Sequence, residues 1–294
     1  MKPILLLALA YVALLHFSSA QEPNLPPGAK ALRDLAYVTG GHEQQKLDLY
    51  LPAEPKGPLL VIIHGGGWRS GSKNKPEGLA LLGQGWTVAS VEYRFSQHAI
   101  FPAQIEDCKA ALRWLRAHAA EYGYDQKRIA AWGASAGGHL TALLATTGTM
   151  RDFDVGENLD QSSAIRCGVD FFGPTDFPEW KPPSANAMIQ RSGPESCIQQ
   201  LFGGPLDEKL DLARRASPLT WAGKDSAPLF IVHGTKDPLV GLEQSQELTD
   251  KFKSLGVEVT LEVVEGGGHG GPDFLPGDRV QRLLDFLGRH LAQP

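Results

Sequence analysis

The sequence is poor in cysteine and methionine, with three of each in 294 residues. Three thiols, Cys108, Cys167 and Cys197, are too few for a disulfide scaffold or a structural zinc site. Outside the cytosol two of them have the option to pair. Cys167 with Cys197 is the pair to test first, because Cys108 sits in a helical pattern on its apolar side. Basic residues are not clustered and the formal net charge is −5, so nucleic acid is not an expected partner. There is no H-E-x-x-H, no Cys/His array and no P-loop, so no metal and no cofactor is expected. Internal repeats and long low-complexity tracts are missing too.

Long apolar runs are also scarce. The one that stands out, Ile4 to Leu15, follows Lys2 and precedes Ser18-Ser19-Ala20. A short positive start, an apolar stretch and small residues form a signal-peptide pattern. The run is short against the ~20 apolar residues of a spanning helix. The expectation is cleavage after Ala20, a secreted or periplasmic protein, and no integral membrane span afterwards. Residues 21–294 then form one domain of about 274 residues, long enough to bury a large core. Its net charge is −6, since Lys2 is the one charge removed from the total of −5.

What is present alternates. "QKLDLYLP" places Leu47, Leu49 and Leu51 on one face, a strand with one side buried. "PLLVIIHGGG" is continuously apolar from Leu59 to Ile63, which fits a central strand covered on both faces. "WTVASVEYR", "RIAAWG", "CGVDFFG", "PLFIVHG" and "EVTLEVVEG" are further strand candidates. Between them lie helical patterns. The first sets Ile105, Cys108, Leu112 and Leu115 on one side and Glu106, Lys109, Arg113 and Arg116 elsewhere. Another carries Leu242, Leu248, Phe252 and Leu255 and stops at Gly256 as a C-cap. Alternation with short connections predicts an α/β fold with a mostly parallel sheet and helices on both faces. Residues 175–221 break the rhythm, being rich in Pro, Gly and Ser. They read as a cap-like insertion over the strand ends, which sets ester preference more than it sets folding.

Four segments fall at the ends of buried strands: "IIHGGGW" (62–68), "WGASAGGHL" (132–140), "IVHGTKDPLV" (231–240) and "EGGGHGG" (265–271). Ligands in such sheets bind beyond the carboxyl ends of the strands, so one rim gathers all four. A serine hydroxyl is a poor nucleophile at neutral pH and needs a base within reach. It must also stand clear of its own backbone, on a sharp turn flanked by small residues. Gly133-Ala134-Ser135-Ala136-Gly137-Gly138 meets that need. A dinucleotide-binding junction would instead show G-x-G-x-x-G early in the chain.

In these segments, their order and their flanks, the chain resembles the α/β-hydrolase superfamily. It is most similar to secreted esterases of the feruloyl/acetyl-xylan type, and the resemblance covers nearly all of residues 21–294. It implies Ser135 as nucleophile, His269 as base and Asp237 as its acid partner, in the chain order of such enzymes. It also implies an oxyanion hole from the amides of Gly66, Gly67 and Ala136, in the HGGG loop of His64–Gly67 and at the helix start. His64 would order that loop, His139 would pack, and His233 would be buried support. Asp176 and Glu265 are rival acids. Trp68, Trp180 and Trp221 are candidates for the lining of an acyl or sugar pocket. The implied reaction is acyl transfer to water through an acyl-enzyme, needing no cofactor. The implied partner is a small ester or an acylated polysaccharide, with acetyl and feruloyl both open. The alternatives are an amide hydrolase, a prolyl-peptidase-like enzyme and a non-catalytic binding protein.

Overall fold

Leu59 to Ile63 is buried at every position, as a strand covered on both faces must be. Each such side chain contributes about 1.5–3 kcal/mol by leaving water. The computed structural model describes residues 24–74 and 76–292, so the signal segment expected at 1–20 lies outside the described residues.

In chain order the elements are β1 (Lys30–Ala36), β2 (Lys46–Leu51), β3 (Leu59–Ile63), β4 (Thr87–Val91), α1 (Ala103–Ala117), α2 (Ala119–Tyr122), β5 (Ile129–Ala134), α3 (Ala136–Thr147), β6 (Cys167–Phe171), α4 (Cys197–Phe202), α5 (Leu210–Ala216), α6 (Pro218–Trp221), β7 (Leu229–Gly234), α7 (Leu242–Leu255), β8 (Val259–Val264) and α8 (Gly277–His290). The strands form one sheet in the order β1-β2-β4-β3-β5-β6-β7-β8. β2 runs antiparallel to both its neighbours, β1 and β4; β3 to β8 are parallel to one another, with Ile63 beside Gly133 and Gly133 beside Asp170. Apolar clusters cover both faces. One gathers Ile105, Leu112, Leu140 and Leu143 from α1 and α3; the other gathers Ile62, Trp132, Phe171 and Phe286, the last from α8. This is the α/β-hydrolase fold, with its parallel strand ends on one rim.

Three expectations need correction. β2 is covered on both faces: Asp48 and Tyr50 are buried along with Leu47 and Leu49. Asp48 survives there because Arg33 (2.6 Å) and Lys73 (2.9 Å) pair with it. Lys109 and Arg113 are fully buried rather than on the wet side of α1. The Lys109 ammonium donates to the carbonyls of Thr147 (2.9 Å), Met150 (3.0 Å) and Asp152 (2.7 Å), and the Arg113 guanidinium to the Asp154 carboxylate (3.1 Å). The two cations thus pin the 147–157 loop to α1. Finally, Cys167 and Cys197 are free, as is Cys108. Cys167 packs in the Trp132 cluster and Cys197 in the Leu140 cluster, so the proposed pair is divided between the two clusters. Burial pushes the Cys167 thiol up to about 12 and that of Cys197 up to about 11, so neither is a ready thiolate.

Among the described residues, no helix is long and apolar enough to cross a membrane. Residues 175–221 hold α4, α5, α6 and short 3-10 turns. Phe177, Trp180, Ile189, Ile198, Leu201 and Phe202 from this stretch join the Leu140 cluster, so it is part of the core.

Candidate active site

The β5–α3 junction turns sharply. Ser135 sits at φ 56°, ψ −119°, a conformation that strains any side-chain-bearing residue. Its amide donates to the Phe171 carbonyl (2.8 Å), and its own carbonyl accepts from the His139 amide (2.9 Å). The turn closes only because its neighbours are small. A Cβ at Gly137 would collide with the carbonyl oxygens of Ile63 and His64. The loop after β3 passes just as close: a Cβ on Gly65 would lie 2.8 Å from the Ala134 oxygen and 3.5 Å from the Ser135 Cβ. Gly66 and Gly67 continue that loop at φ 110° and 58°. Among the described residues, the amides of Gly66, Gly67 and Ala136 donate to no protein acceptor.

Asp237 follows β7 and is 7% exposed. Its Oδ1 accepts from the amides of Leu239 (2.8 Å) and Val240 (3.0 Å), and its Oδ2 from the Nδ1 of His269 (2.7 Å). Burial opposes the charge on Asp237. The imidazoles of His233, 3.4 Å away, and of His269, with the Val240 amide, outweigh that and hold the carboxyl well below the usual carboxylate range. An ionised partner on Nδ1 places the imidazole proton there and leaves Nε2 as the basic nitrogen. His269 rides on a tight Gly268–Gly270 bridge, with its ring on that of Phe172 (centroids 4.4 Å apart). Phe172 holds the positive φ of 46° and follows Phe171, the residue that anchors the Ser135 amide. Phe172, just past the end of β6, therefore bridges the loop of the base and the turn of the hydroxyl, although β6 and β7 lie between β5 and β8 in the sheet. Among the described residues no hydrogen bond joins His269 to Ser135; catalytic contacts of this kind often tighten only around substrate.

Residues 47–252 match the family model described as BD-FAE. The chain belongs to the BD-FAE family. The esterase LipC of Mycobacterium tuberculosis is 29% identical over 283 residues, covering 91% of this chain and 68% of LipC. The probable carboxylic ester hydrolase LipM of the same organism is 32% identical over 204 residues, covering 67% of this chain and 45% of LipM. The chain thus spans about half to two thirds of these relatives. A truncated carbohydrate esterase from gut microbiota superposes with a TM-score of 0.81 at 29% identity, covering 90% of this chain and 97% of the other. With these relatives, this BD-FAE protein is a carboxylic-ester hydrolase of the α/β-hydrolase type. The family match ends at residue 252, before His269.

The other histidines are tied into structure. His139 is fully buried, accepts from the Trp68 indole N–H at Nδ1 (3.1 Å) and donates from Nε2 to the Ala216 carbonyl (2.7 Å). Burial holds it neutral, with its pKa lowered to about 4. It therefore links the HGGG loop, α3 and the end of α5. His233 bonds Ser245 (2.7 Å) and the Val240 carbonyl (2.8 Å) and supports Asp237 from behind. His64 sets Nδ1 2.7 Å from the Gly65 carbonyl and stacks on Tyr93; its Nε2 lies 3.1 Å from Glu92 but off line for a hydrogen bond. Neither rival acid bonds His269: Glu265 accepts from Thr235, and the Asp176 amide donates to Gln244.

A cavity of about 40 Å³ opens at Ser135, walled by Trp68, Trp180, Met188, Ile189, Ile198 and Val240. Trp221 does not share it and packs on Phe153 instead. Sequence reasoning missed Met188, Ile189 and Ile198, because their stretch has no helix or strand period to mark an inward face. Phe172 was equally hidden, since nothing local announces that its ring carries the histidine loop.

Proposed function

We propose that this protein hydrolyses short acyl esters, acetyl above all, on carbohydrate alcohols, by a Ser135–His269–Asp237 relay. The observation that carries the acyl assignment is the size of the cavity at Ser135. A water needs ~10–15 Å³ in this measure, so about 40 Å³ holds roughly three heavy atoms, the size of an acetyl group. A feruloyl group has more than about a dozen heavy atoms, several times what a cavity walled by Trp180 and Met188 at this volume holds. The carbohydrate part rests on likeness to the gut-microbiota carbohydrate esterase.

In this reading Ser135 Oγ attacks the ester carbon as His269 Nε2 takes its proton. The resulting oxyanion is met by the free amides of Gly66, Gly67 and Ala136, each worth about 3–4 kcal/mol in the transition state. His269 then gives its proton to the departing alcohol, leaving acetyl on Ser135. Water, deprotonated by the same nitrogen, attacks the acyl-enzyme and releases acetate. Asp237 keeps the Nδ1–H tautomer and stabilises the imidazolium at each step. Nothing in this sequence of steps calls on a group outside the chain and water. Residues 1–20 serve as an export signal in the same proposal; a secreted product beginning at Gln21 supports it, and an intact Met1 overturns it.

The test is a panel of p-nitrophenyl acetate, butyrate and octanoate, methyl ferulate, acetylated xylan and a proline-containing peptide, each with wild type and Ser135→Ala. The expected order is acetate above butyrate above octanoate, with ferulate weak and the peptide inert. Activity retained in Ser135→Ala would reject the nucleophile, and cleavage of the peptide alone would reject the esterase reading.

A further inference from the structure

One buried acid has no task in the acyl-transfer steps. Asp170 lies in β6, beside Gly133 of β5 on one side and Ile231 of β7 on the other, and is wholly shielded from water. Its Oδ1 accepts from the Gly173 amide (2.9 Å), while Oδ2 has no partner among the described residues. A carboxyl buried this way costs stability, so a strand core is a poor place for it unless its bond matters. That bond closes a turn over two residues, Phe171 and Phe172, and those two touch both ends of the relay. The Phe171 carbonyl accepts from the Ser135 amide (2.8 Å), and the Phe172 ring meets that of His269 (centroids 4.4 Å apart).

Phe172 needs holding. At φ 46° an aromatic residue is strained, and it stays there only where its surroundings fix it. Its amide donates to the Val232 carbonyl of β7 (2.9 Å), and Phe274 sits edge-on to its ring at 5.2 Å. The histidine loop is fitted to that ring, since a Cβ on Gly270 would lie 3.4 Å from Phe172 Cζ. The Asp170 carboxyl also bears on the nucleophile helix. A Cβ on Gly138, three residues past Ser135, would lie 2.2 Å from Asp170 Oδ1. A Cβ on Gly173 would lie 2.6 Å from the same oxygen and 2.4 Å from the His139 nitrogen. The start of α3 and the exit of β6 thus close on each other with this oxygen between them.

We propose that Asp170 is a positioning residue of the relay: by holding the Gly173 amide it sets the turn at Phe171 and Phe172, and through that turn the spacing of the Ser135 hydroxyl and the His269 imidazole. This assignment rests on the Ser135–His269–Asp237 reading and adds what fixes the first two members relative to each other. The role needs an acceptor oxygen and no charge, so asparagine serves it and alanine does not.

The full chain and its Asp170→Ala, Asp170→Asn and Phe172→Leu variants are compared on p-nitrophenyl acetate, at a temperature below every melting midpoint. A misplacement of about 1 Å between reacting groups costs about 10²-fold. Asp170→Ala is expected to lose about that factor in kcat with KM within about two-fold, because His269 serves both acylation and deacylation. Asp170→Asn is expected to restore kcat to within about three-fold of wild type. Phe172→Leu removes the ring under the histidine and falls as Asp170→Ala does. The double variant falls no further than the slower single one, since both act through one turn. A carboxyl that served folding alone would move the melting midpoint and leave kcat of the folded protein as it was. A folded Asp170→Ala with kcat within about two-fold of wild type therefore overturns the assignment. So does an Asp170→Asn as slow as Asp170→Ala, a loss confined to KM, or single losses that multiply in the double variant. If Asp170→Ala does not fold, Phe172→Leu decides, and an unchanged kcat there overturns the assignment by itself. A wild type inactive on every ester, or an active Ser135→Ala, overturns the relay reading as well.

Discussion

Asp237 does two jobs with two oxygens: Oδ1 ties down its own loop through Leu239 and Val240, and Oδ2 faces His269. Asn at this position keeps one acceptor but presents an amide to the imidazole, which favours the wrong tautomer. Asp237→Asn is therefore expected to lower kcat on p-nitrophenyl acetate by about 10³–10⁴-fold with KM little changed. A loss below about ten-fold in steady-state kinetics would remove Asp237 from the relay. The residues of this site differ in how far the sequence revealed them. Ser135, Asp237 and His269 stood out because glycines and strand ends marked their backbones as special. Met188, Ile189 and Ile198 did not, because a cavity wall arises from packing and leaves no local pattern.

At the scale of elements, the tight β5–α3 turn is held by close backbone approach more than by hydrogen bonds. Gly137→Ala pushes a methyl against the carbonyls of β3 and its loop. The expected cost is about 3 kcal/mol or more, read as a lower midpoint in urea unfolding, together with loss of esterase activity. An active variant of unchanged midpoint would show that the turn has slack. The 175–221 stretch gives a second expectation. Trp180, Ile189 and Ile198 are each at most 4% exposed, so deleting 178–200 should abolish the cooperative melt seen by circular dichroism. Met188→Ala and Trp180→Phe are the gentler probes of acyl length. The middle of the sheet was readable because β3 is a continuous apolar run and β7 opens on one, Leu229 to Val232. β1 was not, since KALRDLA carries three charges and is only half-buried. The pieces within 175–221 were too short for any period to register.

For the whole molecule, two buried titratable groups set opposing pH dependences of stability. His139 is neutral in the fold, with its pKa lowered to about 4 from an ordinary 6.5. Its neutral form is free of penalty above pH 6.5, and stability worth about 3 kcal/mol is lost as pH falls from there toward 4. Asp170 is fully buried, with Oδ1 accepting from the Gly173 amide (2.9 Å) and Oδ2 unpartnered. Burial pushes it up to about 6, against the pull of that amide and of nearby His233. Its protonated form is favoured below its ordinary 3.8, and about 3 kcal/mol is lost as pH rises through 6. His139→Gln, which retains a donor and an acceptor, should lose less stability than wild type between pH 6.5 and 4. Asp170→Asn should gain on wild type between pH 4 and 7. Melting temperatures across that range test both, and parallel curves for all three proteins would refute both assignments. The three thiols carry a last consequence. Each is unpaired and locked inside the core, so maturation has no oxidation step to wait for. A chain made in a reducing bacterial cytosol is therefore expected to melt at the same temperature as one made in an oxidising medium, with or without dithiothreitol.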